Sequence, residues 1–188
     1  MKKFLLVFVA VVVALLLVAA LAFFAWMSFK NGIIRQRENV DAEWSQVENQ
    51  LKRRSDLIPN LVSTVKGFAG HETAAIAAVT EARARLGGGG GTVADRARTE
   101  NELSGALSRL LVIVENYPNL KADQNFRQLS DELAGTENRI AVARRAYNEA
   151  VRAYNTKIKQ FPGSLLGLET CEYFEVAEAD KAVPKVEF

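Results

Sequence analysis

The stretch FRQLSDELAGTENRIAVARRAYNEAVRAYNTKIKQFPG, from Phe126 to Gly163, decides the fold. A mostly apolar stripe returns at Phe126, Leu129, Leu133, Thr136, Ile140, Ala143 or Arg144, Tyr147, Val151, Tyr154, Ile158 and Phe161, in steps of three and four. That spacing gathers the residues on one side of an α-helix, whereas a strand would need alternation at every second position. Pro162-Gly163 closes the pattern. A stripe kept so strictly over so many turns predicts coiled-coil-like packing against another helix of similar length.

Working towards the N-terminus, a second stripe runs through Leu103, Leu107, Leu110, Val114 and Tyr117 and stops at Pro118. Thr92 followed by Asp95 has the form of a capping box and marks where this helix starts. Before it, Gly87 to Gly91 ends the preceding helix, because glycine loses the most entropy when held helical. A phosphate cradle would need Gly-Lys-Ser/Thr opening a helix straight after a strand, and Thr92-Val93-Ala94 follows a helix instead.

The first helix carries Val40, Trp44, Val47, Leu51, Ile58, Leu61, Val65 and Phe68, with Arg54 in the one polar seam position. A shifted stripe of Ala75, Val79, Ala82 and Leu86 continues it, predicting one rod from the membrane to about Leu86. Pro59 interrupts the rod in one of two ways. Either the helix kinks, or a new one begins with Asp56 as its N-cap. Short connections between consecutive helices make them antiparallel neighbours, so the expected fold is an all-α bundle of three long helices over residues 30–163. Ser164 to Leu168 is expected to form a short helix, and Ala182 to Phe188 an extended tail.

From Phe4 to Phe29 there is no charge, and the run exceeds the roughly 20 residues that span a bilayer core. Residues 1–29 are therefore expected to be a transmembrane anchor, with Trp26 and Phe29 at the interface. A cleavable signal peptide is the competing reading, given Lys2, Lys3 and the small-x-small pattern Ala20-Leu21-Ala22; the run is longer than a usual signal core. A basic N-terminus before an apolar run favours the domain outside the cytoplasm, although Lys30, Arg35 and Arg37 nearly balance the flanks.

Lys plus Arg total 24 and Asp plus Glu 22, but Lys2 and Lys3 precede the apolar run and every acid follows it, so the remainder is neutral. There is no basic stripe with interleaved aromatics, and no nucleic-acid partner is expected. One histidine, His71, and one cysteine, Cys171, do not make a zinc site, and His71-Glu72 lacks the second histidine of a metalloprotease motif. No cofactor, metal or catalytic group is expected.

Charged residues on the first helix, Arg53, Arg54 and Asp56, are positioned to meet Glu137, Asn138 and Arg144 on the last, as a polar layer that sets helix register. Trp44, Val47, Leu51, Leu61, Tyr147 and Tyr154 are expected along the seam. Tyr147-Asn148 and Tyr154-Asn155 repeat one heptad apart, which puts both tyrosines in the core with hydrogen-bonded hydroxyls. The acidic neighbours of Cys171 raise a thiol pKa and argue against a nucleophile.

Several ordered motifs resemble the LemA family. They are Trp44-Ser45-Gln46-Val47, the block Leu51 to Val62, Val65-Lys66-Gly67-Phe68-Ala69 with His71-Glu72, Tyr117 to Ala122 with Phe126, Thr136 to Ala141, the two Tyr-Asn pairs, Phe161-Pro162, and Pro184 to Phe188. The resemblance implies a bacterial protein with one N-terminal membrane helix in the cytoplasmic membrane, a domain of long antiparallel helices, and no assigned reaction. Two functions compete. One is a membrane-tethered scaffold that associates with itself or an envelope protein; the other is a ligand-binding module or weak enzyme with a pocket near Arg54, Glu137 and Arg144.

Overall fold

The computed structural model describes residues 2–88 and 91–175, which form six helical segments and no strand. Part of the glycine run and the expected extended tail, Ala182 to Phe188, lie outside the described residues.

Helix α1 (Lys2–Phe68) has 67 residues, which at 1.5 Å per residue is about 100 Å. Its first part is long and apolar enough to cross a membrane, and among the described residues nothing covers side chains such as Leu15, Leu17 and Leu21. Burial begins at Phe29 and Ile33 and continues at Val40, Val47, Leu51, Ile58, Leu61 and Val65, a heptad-like seam.

Helix α5 (Gln124–Lys159) fills that seam with Phe126, Leu133, Thr136, Ile140, Ala143, Tyr147, Val151, Tyr154 and Ile158. The pairing is antiparallel: Trp44 meets Tyr147 with ring centroids 5.2 Å apart, and Phe29 meets Lys157. On the other side α2 (Thr73–Gly87) and α3 (Val93–Val114) form a hairpin whose buried edge is Ile76, Val79, Ala82 and Leu86 against Leu103, Leu107, Leu110 and Val114. Thr92 and Asp95 cap α3 reciprocally, the hydroxyl accepting from the Asp95 N–H at 3.2 Å and the carboxylate from the Thr92 N–H at 3.1 Å. A five-residue turn of helix, α4 (Pro118–Ala122), starts on Pro118, and Asp123 then caps α5.

The expected rod to Leu86 is corrected in one respect. It divides at Ala69–Glu72, where Gly70 lies so close to the last turn that a Cβ would sit 3.2 Å from the Lys66 carbonyl oxygen. The Tyr117 hydroxyl donates to Glu72 at 2.7 Å and ties this corner to the end of α3. No new helix begins at Asp56, because α1 passes through Pro59. Proline deprives the Ser55 carbonyl of its helical donor; Arg83 of α2 supplies one, its Nε lying 2.8 Å from that oxygen. The expected short fourth helix is a single 3-10 turn, Gly163–Leu166.

Candidate functional site

Arg54 occupies a seam position of α1 and is 5% exposed, so its charge needs a partner inside the bundle. It has two. Its Nη1 pairs with the Glu100 carboxylate of α3 and with Glu137 Oε2 of α5, the latter at 2.5 Å, and donates to Ser104 Oγ at 2.9 Å. Glu100 is 1% exposed, and Ser104 donates to the same carboxylate oxygen at 3.3 Å. Burial pushes the Glu100 carboxyl above the ordinary range; Arg54 pulls it back down and the neighbouring Glu137 adds to the rise. One guanidinium thus joins three helices at one level.

The cluster forms the polar end of a cleft of about 350 Å³ with walls from α3 and α5 and a floor from α1, including Leu61, Leu107, Leu111 and Leu133. Arg54 Nε, Glu100 Oε2 and Ser130 Oγ are buried without a hydrogen-bond partner among the described residues. Of the other residues expected in the layer, Arg53, Asp56 and Asn138 are exposed, because Arg53 is one residue, about 100°, and Asp56 and Asn138 are two residues, about 200°, around the helix from the buried stripe. Arg144 lies two turns from Glu137, with its guanidinium 4.7 Å from the Phe174 ring centroid. Glu100 and Ser104 were not among the expected residues. Extending the α3 stripe one turn back from Leu103 reaches Glu100, a charged residue in a seam position as Arg54 is.

The two Tyr-Asn pairs make a second built feature. After α5 the chain turns and returns along it in extended form. Asn155 donates to the Cys171 carbonyl and accepts from the Cys171 N–H, both at 2.9 Å. Asn148 does the same for Phe174, at 3.0 and 2.9 Å. The Tyr147 hydroxyl donates to the Glu172 carbonyl at 2.9 Å and that of Tyr154 to Glu169 at 3.4 Å. Seven helical residues rise about 10.5 Å and three extended ones about 10 Å, so a heptad on the helix matches a tripeptide on the strap. Phe174, 1% exposed, closes the strap against Trp44. Burial raises the Tyr147 hydroxyl to about 12. It also raises the Cys171 thiol, an effect that Arg37, whose Nη1 donates to Sγ at 2.8 Å, opposes.

Among the described residues no three or more His, Cys, Asp or Glu side chains gather in a metal-binding group. His71 is exposed at the α1–α2 corner.

Compared with known proteins, the chain is similar to magnetosome protein MamQ 2 of Paramagnetospirillum magneticum, 25% identical over 187 residues covering 84% of this chain and 69% of the relative. It is similar to magnetosome protein MamQ of Magnetospirillum gryphiswaldense, 25% identical over 173 residues and covering 77% and 64% of the two chains. Protein LemA of Metamycoplasma hominis is 23% identical over 146 residues, covering 78% and 67%. The LemA family profile matches residues 43–188, a range that takes in the Arg54 cluster and the strap, and the chain belongs to the LemA family.

Proposed function

We propose that this chain is a non-enzymatic, membrane-anchored scaffold of the bacterial envelope, which binds a second copy of itself or an envelope protein. The observation that carries this reading is α1. One helix passes without a break from uncovered apolar side chains before Phe29 into the buried seam from Ile33 onward, so a bilayer around its first part holds the bundle at a defined distance. Residues 1–29 act as the anchor, 30–163 as the bundle and 164–188 as a C-terminal segment, of which the described strap to residue 175 packs on α5. Arg54, Glu100 and Glu137 serve as a register device rather than as catalysts, since the guanidinium occupies both carboxylates. The names of the relatives, a magnetosome protein and a LemA protein, state no reaction. Leu111 and Val112 on α3 leave apolar surface for a partner.

The test is cross-linking and mass photometry of the full chain extracted in detergent, with a dimer or a discrete co-purifying envelope protein as the expected result. A strictly monomeric species that cross-links to nothing would overturn it. The anchor is placed in the cytoplasmic membrane with the bundle outside the cytoplasm; proteolysis in intact spheroplasts should then remove the bundle, and protection until permeabilisation would reverse the orientation.

One observation favours a second reading. The cleft is lined by Arg54 and Ser130, whose Nε and Oγ are buried polar atoms that a bound small molecule can satisfy. A ligand-binding module would show a metabolite-dependent thermal shift that Glu137→Ala abolishes without unfolding the bundle; no shift across a broad panel would leave the scaffold reading alone.

A further inference from the structure

Where α5 ends, the chain makes a tight turn that carries uncovered apolar side chains. Phe161 is 81% and Leu165 69% exposed, while the adjacent Leu166 packs inward on the core. The turn is held in shape. Ser164 N–H donates to the Gln160 carbonyl at 3.0 Å and Leu165 N–H to the Pro162 carbonyl at 3.1 Å. Gly163 is pressed under the helix end, where a Cβ would collide with the Lys157 carbonyl oxygen, and Gly167, at φ +60°, sends the chain back along α5.

The height of this turn follows from the antiparallel pairing. Trp44 is level with Tyr147, and the Lys157 ammonium lies 5.6 Å from the Phe29 ring centroid. Lys159, the last residue of α5, lies two residues beyond Lys157 and twelve beyond Tyr147, which brings the helix end level with about residues 27 to 32 of α1, beside Phe29, and the turn carrying Phe161 follows from there. Trp26 and Phe29 stack at a centroid distance of 6.4 Å at the end of the uncharged run, the depth at which aromatic rings favour the lipid headgroup boundary. Lys30, Arg35 and Lys159 are exposed around the same level.

We propose that the turn from Phe161 to Leu168 is a second membrane contact, inserting Phe161 and Leu165 into the interface of the leaflet from which α1 emerges. It rests on the reading of α1 as a membrane anchor. The turn holds its exposed apolar side chains near the level at which α1 leaves the bundle, and the exposed basic residues near that level would meet the phosphates of the headgroups. With α1 as the only attachment the bundle would be free to swivel about that helix; with two contacts its azimuth to the bilayer is set.

The experiment uses the full chain reconstituted into phosphatidylethanolamine–phosphatidylglycerol vesicles, in a Cys171→Ser background. Single cysteines Phe161→Cys, Leu165→Cys, Val13→Cys and Val142→Cys carry an environment-sensitive fluorophore, and nitroxide lipids serve as quenchers. Val142 is 69% exposed and distant along α5, so it controls for the apolarity of the label. The proposal expects blue-shifted, quenched emission at positions 13, 161 and 165 and a water-like, unquenched signal at 142. Quenching at 13 with water-like signals at 161 and 165 overturns the second contact and leaves the anchor standing. Water-like signals at all four overturn both.

Discussion

The bond from Arg83 to the Ser55 carbonyl makes a quantitative prediction, because Pro59 alone created the need for it. In an uninterrupted helix the N–H of residue 59 would satisfy that oxygen; here Arg83 Nε does so from another helix, at 2.8 Å and partly buried. Hydrogen bonds to charged groups contribute about 1.5–3 kcal/mol, and partial exposure of Arg83 lowers the expectation to about 1–2 kcal/mol. Arg83→Met keeps most of the aliphatic stem and removes the donor, so it should destabilise the protein by that amount. In a Pro59→Ala background the backbone donor is restored. There Arg83→Met should cost no more than about 0.5 kcal/mol, leaving a coupling energy of about 1 kcal/mol in the double-mutant cycle. The assay is guanidinium unfolding of the full chain in detergent, followed by Trp44 fluorescence with Trp26→Phe present throughout. Equal costs for Arg83→Met in both backgrounds would refute the claim that Arg83 substitutes for the lost helical bond.

Removing one member of the buried ion cluster should be worse than removing two. Arg54→Met strands Glu100 without its counter-ion and should cost about 3–5 kcal/mol, while Arg54→Met with Glu100→Met recovers most of the loss; calorimetry that finds the double variant no more stable than the single one would contradict this. The raised Glu100 carboxyl also sets a pH dependence. Between the ordinary glutamate range and its own higher value the folded state binds more protons than the unfolded chain, so stability contributed by this residue falls as pH rises through that window. Glu100→Gln should remove that fall from the unfolding curve, and an unchanged slope would assign it to another group. Asn155→Ala breaks both bonds to Cys171, worth about 1–3 kcal/mol to the strap. Alkylation of the Cys171 thiol and exchange of the Cys171 amide should then accelerate, and a strap still seated at the wild-type rates would show that the ladder does not hold it.

Much of the fold was legible because helix information is local. The stripes of α3 and α5, the Thr92–Asp95 cap and the uncharged run of α1 each lie within a few turns of chain, where period and polarity speak for themselves. The division at Gly70 was less legible, since the apolar stripe resumes beyond it and Pro59 offered a stronger breaking signal. Of the Arg54 cluster, Arg54 could be named from its seam position and Glu137 from its charge beside the seam residue Thr136, but Arg53, Asp56 and Asn138 share their neighbourhood in sequence while facing water.

By itself, then, the order of residues determined an all-α chain with an uncharged N-terminal helix and a heptad-spaced antiparallel pair. Only the tertiary structure decided that Glu100 completes the charge of Arg54, that Arg83 repairs the gap left by Pro59, and that the Tyr-Asn heptad carries an extended strap. The reason is distance along the chain. These partners stand 46, 28 and 15–26 residues apart, and which of many donors meets an acceptor depends on how whole helices are set against one another.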